Sequence, residues 1–177
     1  MAAAVAFTAS AEKEWQNINS FRDGQLDTHT LVVPYIANSV ADVADFNYAK
    51  SPYYLNLNGT WKFHWAPNVE KRAVDFYKEG YDVSAWDNIK VPCNWQCQGY
   101  GPKIYVNQPY EFASEFYNFK RNPPFVPDDN NEVGSYQRKF TVPAAWKGRR
   151  IVLCLEGVSS FCSAWVNGKY LGLNQDS

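Results

Sequence analysis

The sequence predicts an all-β sandwich, and three observations point to it. Aromatic residues make up 17% of the chain, with 7 Trp, 12 Tyr and 11 Phe against a single Met. Such side chains pack best on pleated, half-buried surfaces. Trp61, Phe63 and Trp65 alternate with Lys62 and His64, the period of a strand with one face turned inward. Asn58-Gly59 and Asn167-Gly168 carry the strongest short hairpin signal. The 177 residues suit one domain with an added arm, and a domain of that size buries about 70% of its unfolded surface.

The elements follow in order. Residues 1–50 read as an N-terminal arm, mixed in polarity and without clear periodicity. It should lie extended on the domain surface, with a short helical turn around Val40–Asp45. Residues 51–177 form the sandwich. Tyr54, Leu55 and Leu57 lead into the Asn58-Gly59 turn and the Trp61–Trp65 strand. Asp82 to Trp86 suggests a helical turn, and Ile89 with Val91 a strand stopped by Pro92. Residues 93–134 form a long irregular stretch with five prolines and many Tyr, Phe and Asn. It is too aromatic for disorder, and long loops in compact domains are usually functional. Strands are then expected at Tyr136–Val142, at Arg150–Leu155, which is apolar on both sides as inside a sandwich, and at Phe161–Val166, turning at Asn167-Gly168 into Lys169–Leu171. Such sandwiches use roughly eight strands, and about six or seven are legible here. The reading is therefore of a sandwich incomplete at its C-terminus: a fragment with an open sheet edge and uncovered apolar surface, prone to self-association.

Composition narrows the function. Formal net charge is −1, from 17 basic and 18 acidic residues. No basic cluster of the kind that neutralises phosphates is present, so nucleic acid is not expected as a partner. No apolar run approaches the roughly 20 residues that cross a bilayer, so neither is a membrane. Cys93, Cys97, Cys154 and Cys162 lack the pairing with His that a zinc set needs, and read as buried free thiols. The small, apolar start contains Ala9-Ser10-Ala11, similar to a signal-peptidase site. Residues 1–11 are either a signal-peptide remnant, placing the protein in the periplasm, or a disordered terminus of a cytoplasmic protein.

Catalytic groups are missing. A glycosidase needs two carboxylates facing each other across the scissile bond, and no two acids are so placed. Asn131-Glu132 falls in an Asp- and Asn-rich run that reads as a solvated turn. The two histidines, His29 in the arm and His64 on the outer face of its strand, have no nucleophile motif beside them. What remains is Tyr100, Tyr105, Asn107, Gln108 and Tyr110. Amides hydrogen-bond hydroxyls in both directions and aromatic faces cover the C–H face of a sugar ring. The same rings would equally serve to pack the loop onto the sheet.

Several runs, taken in order, resemble the N-terminal domain of family 2 glycoside hydrolases. They are Leu55–Phe63, Val91–Gln96, Gly99-Tyr100, Ile104–Asn107, Asn122–Pro127, Val133–Tyr136, Glu156–Val158, Trp165–Gly168 with Gly172, and Gln175–Ser177. The Asn-Pro-Pro-Phe-Val-Pro run and the Gln-Asp-Ser ending are similar to the large β-galactosidases rather than to the β-glucuronidase or β-mannosidase branches. The resemblance implies a galactose-binding-like jelly-roll sandwich, the sugar-binding domain. It implies catalytic glutamates in a separate TIM barrel, the domain's partner, so this chain alone should be inactive. It implies that Asn107, flanked by Tyr105, contacts the galactosyl unit of a β-galactoside substrate. It also implies a Mg²⁺ site in the parent enzyme made by Glu14, Asn17 and Gln175, whose oxygen donors suit that ion. The expected function is thus a loop contribution to the galactosyl subsite of a retaining β-galactosidase. The alternatives are a stand-alone carbohydrate-binding module and an interaction domain whose sugar site has decayed.

Overall fold

The computed structural model describes residues 14–19, 21–36, 48–103 and 125–175. Among them are six strands: β1 (Arg22–Asp23), β2 (Gly59–Ala66), β3 (Asp87–Val91), β4 (Val133–Gln137), β5 (Cys162–Val166) and β6 (Lys169–Asn174). They form two antiparallel three-stranded sheets, ordered β3-β2-β4 and β1-β6-β5. All helical pieces among the described residues are single 3₁₀ turns. The fold is therefore all-β, in two small sheets, as the aromatic composition and period-2 patterning predict.

The β3-β2-β4 sheet is built on the alternating aromatics of β2. Phe63 is 0% exposed, and its ring meets those of Tyr100 at 4.8 Å, Tyr136 at 4.7 Å and Trp95 at 6.2 Å. Ile89 of β3, Ala66 and Val69 are buried with it. Burying a side chain of the size of Phe63 is worth about 1.5–3 kcal/mol. Burial also deprotonates nothing readily: it pushes the Tyr136 hydroxyl up to about 12, with a smaller contribution from Cys93. The other face of β2 is not simply outward. His64 is half-buried with its ring 5.5 Å from that of Trp86, because the segment through Asp75–Trp86 folds over it.

That segment also links the sheets. Gln137 of β4 donates through Nε2 to Phe76 O at 3.3 Å. Tyr77 stacks on Trp165 of β5 at 4.9 Å, 12° from parallel, and Tyr170 of β6 adds a ring 5.7 Å from Trp165. The β5-β6 hairpin closes through Asn167 and Gly168, both at positive φ (50° and 75°), the backbone a two-residue turn demands.

Several expectations are corrected. Tyr54–Leu57 is not a strand and Asn58-Gly59 is not a hairpin turn. β2 pairs with β3 and β4, while Arg138 Nη1 donates to Leu57 O at 2.7 Å and Asn58 O at 2.8 Å and so occupies the carbonyls a hairpin partner would use. The strand expected at Tyr136–Val142 begins earlier, at Val133, and ends at Gln137. Arg150–Leu155 forms no strand. No ladder partner stands beside it among the described residues, and Ile151, Val152, Leu153 and Leu155 are 51%, 52%, 38% and 48% exposed. Phe161 and Trp165 are covered, packing against Trp15 and the Tyr77 segment. The edge of β6 expected to be unpaired is partly covered by β1 from the arm, in register Arg22↔Asn174 and Asp23↔Leu173. Cys93, Cys97 and Cys154 are free but exposed, and Cys162 is half-buried: Cys93 precedes a surface 3₁₀ turn, Cys97 lies within it, and Cys154 lies in the unpaired 151–155 run. The helical turn expected at Val40–Asp45 lies outside the described residues.

Candidate functional site

Tyr105 and Asn107 fall within residues 104–124, outside the described residues. The chain on either side of that stretch is well defined. After β3 comes a 3₁₀ turn, Trp95–Gln98, closed by Gly99 at φ 96°. Gln98 ties the turn to β3: Lys90 N–H donates to its Oε1 and its Nε2 donates to Lys90 O, both at 2.9 Å. An amide side chain here imitates a strand partner, satisfying both polar groups of an edge residue. Tyr100 sets its ring edge-on to Phe63 and donates its hydroxyl to Asp87 Oδ2 at 2.9 Å. Burial first, and then this bond, raise the Tyr100 pKa.

On the far side stands Glu132. The Asp- and Asn-rich run does turn, with Asn130 at φ 58°, but Glu132 is half-buried rather than solvated. It accepts a hydrogen bond from Trp95 Nε1 at 3.2 Å. Its carboxylate also lies against Gly101, where an added Cβ would overlap it. Gly101 sits at φ 64°, open to glycine at little cost. Gly101 and Glu132 thus join the two ends of the 104–124 stretch at the sheet. Glu132, Asp87 and the role of Trp95 were not apparent in the sequence; the nearest signal was Trp95 within the Val91–Gln96 run.

Glu14, Asn17 and Gln175 are brought together. Glu14–Gln16 forms a 3₁₀ turn, and Asn17 N–H donates to Glu14 O at 3.2 Å. Asn17 Oδ1 accepts from Asn19 N–H at 2.9 Å. Beyond β6, Gln175 N–H donates to Phe21 O at 2.9 Å, extending the β1-β6 pairing by one residue. Its side chain then reaches back, Nε2 donating to Glu14 O at 2.7 Å and Asn17 O at 3.3 Å. The turn is held in place by Trp15 against Phe161 and by Gln16 Nε2 donating to Val126 O at 3.0 Å. The Glu14 charge, after burial, helps push the Tyr170 hydroxyl up to about 12. No group of three or more His, Cys, Asp or Glu is gathered among the described residues. What meets here is the Gln175 amide nitrogen and the main-chain carbonyls of Glu14 and Asn17; the side-chain oxygens of Glu14, Asn17 and Gln175 would suit a hard cation such as Mg²⁺. Gln175 would turn its amide to offer Oε1, an orientation set by the hydrogen-bond network.

The family model described as "Glycosyl hydrolases family 2, sugar binding domain" matches residues 54–177. The chain belongs to this family. It is the sugar-binding domain of glycosyl hydrolases family 2, with the all-β sandwich that the family implies. A β-galactosidase of Priestia megaterium is 35% identical over 170 residues, which is 96% of this chain and 16% of that protein. One from Halalkalibacterium halodurans is 38% identical over 122 residues, 69% of this chain and 12% of that protein. The β-galactosidase large subunit of Leuconostoc lactis is 32% identical over 169 residues, covering 89% of this chain and 26% of the subunit. The chain therefore spans about a sixth of the length of the P. megaterium relative. No helix of the described residues is long and apolar enough to cross a membrane.

Proposed function

We propose that this domain serves a retaining β-galactosidase, lending Asn107 to the galactosyl subsite while a TIM barrel elsewhere in the same polypeptide supplies both catalytic carboxylates. The observation that carries this reading is the family match through 54–177, with the Tyr105-Val106-Asn107 run inside it. The ties around 104–124 support it: Gln98–Lys90, Tyr100–Asp87 and Glu132 with Trp95 and Gly101 make a stiff frame from which that stretch departs. A hydrogen bond from Asn107 to a sugar hydroxyl in a desolvated site is worth about 1–3 kcal/mol. Asn107→Ala in the full-length enzyme should then lower kcat/KM on a β-galactoside about 5- to 150-fold with the melting temperature unchanged. A wild-type kcat/KM would reject the role. Tyr105 beside it shapes the same contact.

A Mg²⁺ ion held by Glu14, Asn17 and Gln175 is part of the same reading. When bound, it would fasten the arm to the end of β6; these residues bind and orient, and take no proton. Adding Mg²⁺ to the metal-free protein should raise its melting temperature, and Gln175→Ala should abolish the rise. An equal rise in the variant would remove Gln175 from the site. The exposed Ile151–Leu155 run further favours association with a second copy of this chain where no other surface covers it.

A further inference from the structure

Strand alternation sets Thr60, Lys62 and His64 on one face of β2, opposite that of Phe63. Register then places Lys62 between Asn88 of β3 and Gln137 of β4. Trp86 covers the His64 end of this face. At the Thr60 end a cleft of about 420 Å³ opens, lined by Thr60, Lys62, Asn88, Gln137, Arg138 and Lys139. That volume lies within the ~300–1,000 Å³ of small-molecule sites.

Three cations line the cleft, and among the described residues no carboxylate does. Their bonds go to neutral acceptors. Lys62 Nζ donates to Trp86 O at 3.0 Å, and Arg138 Nη1 to Leu57 O and Asn58 O. Main-chain carbonyls fix these side chains in place without cancelling their charge. Lys139 is exposed and has no ion pair or hydrogen bond among the described residues. On a chain with net charge −1 this is a local concentration of positive charge, and a cleft of one sign draws in counter-ions. The Arg138 guanidinium also lies over the Trp61 ring, 5.9 Å from its centroid, so it lends the cleft positive charge rather than an open fork. The Asn88 and Gln137 amides and the Thr60 hydroxyl both donate and accept, which suits hydroxyl groups.

We propose that this cleft binds a small hydroxylated oxyanion, a monosaccharide unit that carries a carboxylate or a phosphate. Lys62 and Lys139 take the anionic group, with Arg138 adding positive charge beside them, and Thr60, Asn88 and Gln137 take the hydroxyls. Isothermal titration calorimetry with glucuronate, glucose 6-phosphate, neutral glucose and inorganic phosphate tests this. At least one sugar anion should bind about tenfold tighter than both glucose and inorganic phosphate, and which of the two does so identifies the anionic group. Raising the ionic strength should weaken it. Lys139→Glu, at an exposed position with no partner among the described residues, should reduce that affinity about tenfold or more. Asn88→Ala, also exposed, should weaken the sugar anion and leave inorganic phosphate unchanged. Sugar anions that bind no tighter than glucose, or an undiminished affinity in Lys139→Glu, would overturn the proposal. Inorganic phosphate binding as tightly as both sugar anions would overturn the part played by the hydroxyls.

Discussion

A single methyl group at Gly101 would collide with the Glu132 carboxylate and would also be strained at φ 64°. Gly101→Ala should therefore push Glu132 away from Trp95 Nε1 and cost about 1–3 kcal/mol of stability. Urea unfolding measures the loss, and a change in tryptophan emission reports the broken Trp95–Glu132 bond. Glu132→Gln should cost less, because an amide oxygen still accepts from the indole. An unchanged unfolding midpoint in Gly101→Ala would mean that the contact holds nothing. Glu132 was not legible in the sequence for a physical reason. An acid in an Asp- and Asn-rich run has water as its default partner, and only the fold brings Trp95 to it across 37 residues. Tyr105 and Asn107 are the reverse case: the roles proposed for them rest on the resemblance to the family's motif rather than on any local physics.

Strands whose period or turn was written locally were legible. β2 was expected from Trp61 to Trp65 and runs over Gly59–Ala66; the β5-β6 hairpin formed at its Asn-Gly pair. Apolar content alone did not make a strand. Tyr54–Leu57 and Arg150–Leu155 have the side chains for one, but a strand exists only where a neighbour completes its ladder. The arm shows the opposite: Arg22 and Asp23 carry no strand signal, yet they pair with β6. Gly172 makes room for that pairing. It lies at φ 156°, and a Cβ there would overlap Asp23 O. Gly172→Ala should release β1 while leaving the β3-β2-β4 sheet intact. Hydrogen exchange checks this: the Gln175 amide, which donates to Phe21 O, should lose protection while amides of β2 keep theirs. Equal protection in the variant would show that the arm adapts around the added carbon.

At the scale of the molecule, the buried apolar residues among those described are few: Phe63, Ala66, Val69, Ile89, Trp146 and Leu173. They gather mainly around β2 and at the end of β6, while Ile151, Val152, Leu153 and Leu155 face outward together. A run of exposed apolar residues of this kind is a site for association. The 177-residue chain should accordingly sediment as a concentration-dependent mixture of monomer and dimer. The double variant Ile151→Lys, Leu153→Lys should sediment as a monomer, since adding charge to an exposed run opposes edge-to-edge pairing. A wild-type monomer at every concentration would show that the run is already satisfied.

The pairing of β1 with β6 also has a bearing on the order of events during synthesis. Gln25 bonds Leu173 O across 148 residues, whereas β2, β3 and β4 all lie between Gly59 and Gln137. A ribosome adding about 5–20 residues per second releases everything the β3-β2-β4 sheet needs well before it releases β6. During that interval the arm must wait, tethered at one end, for a strand not yet made. Contacts of such long sequence separation close slowly. The first sheet can therefore serve as the nucleus onto which the rest condenses, and the arm becomes the last clasp to shut on the newborn domain.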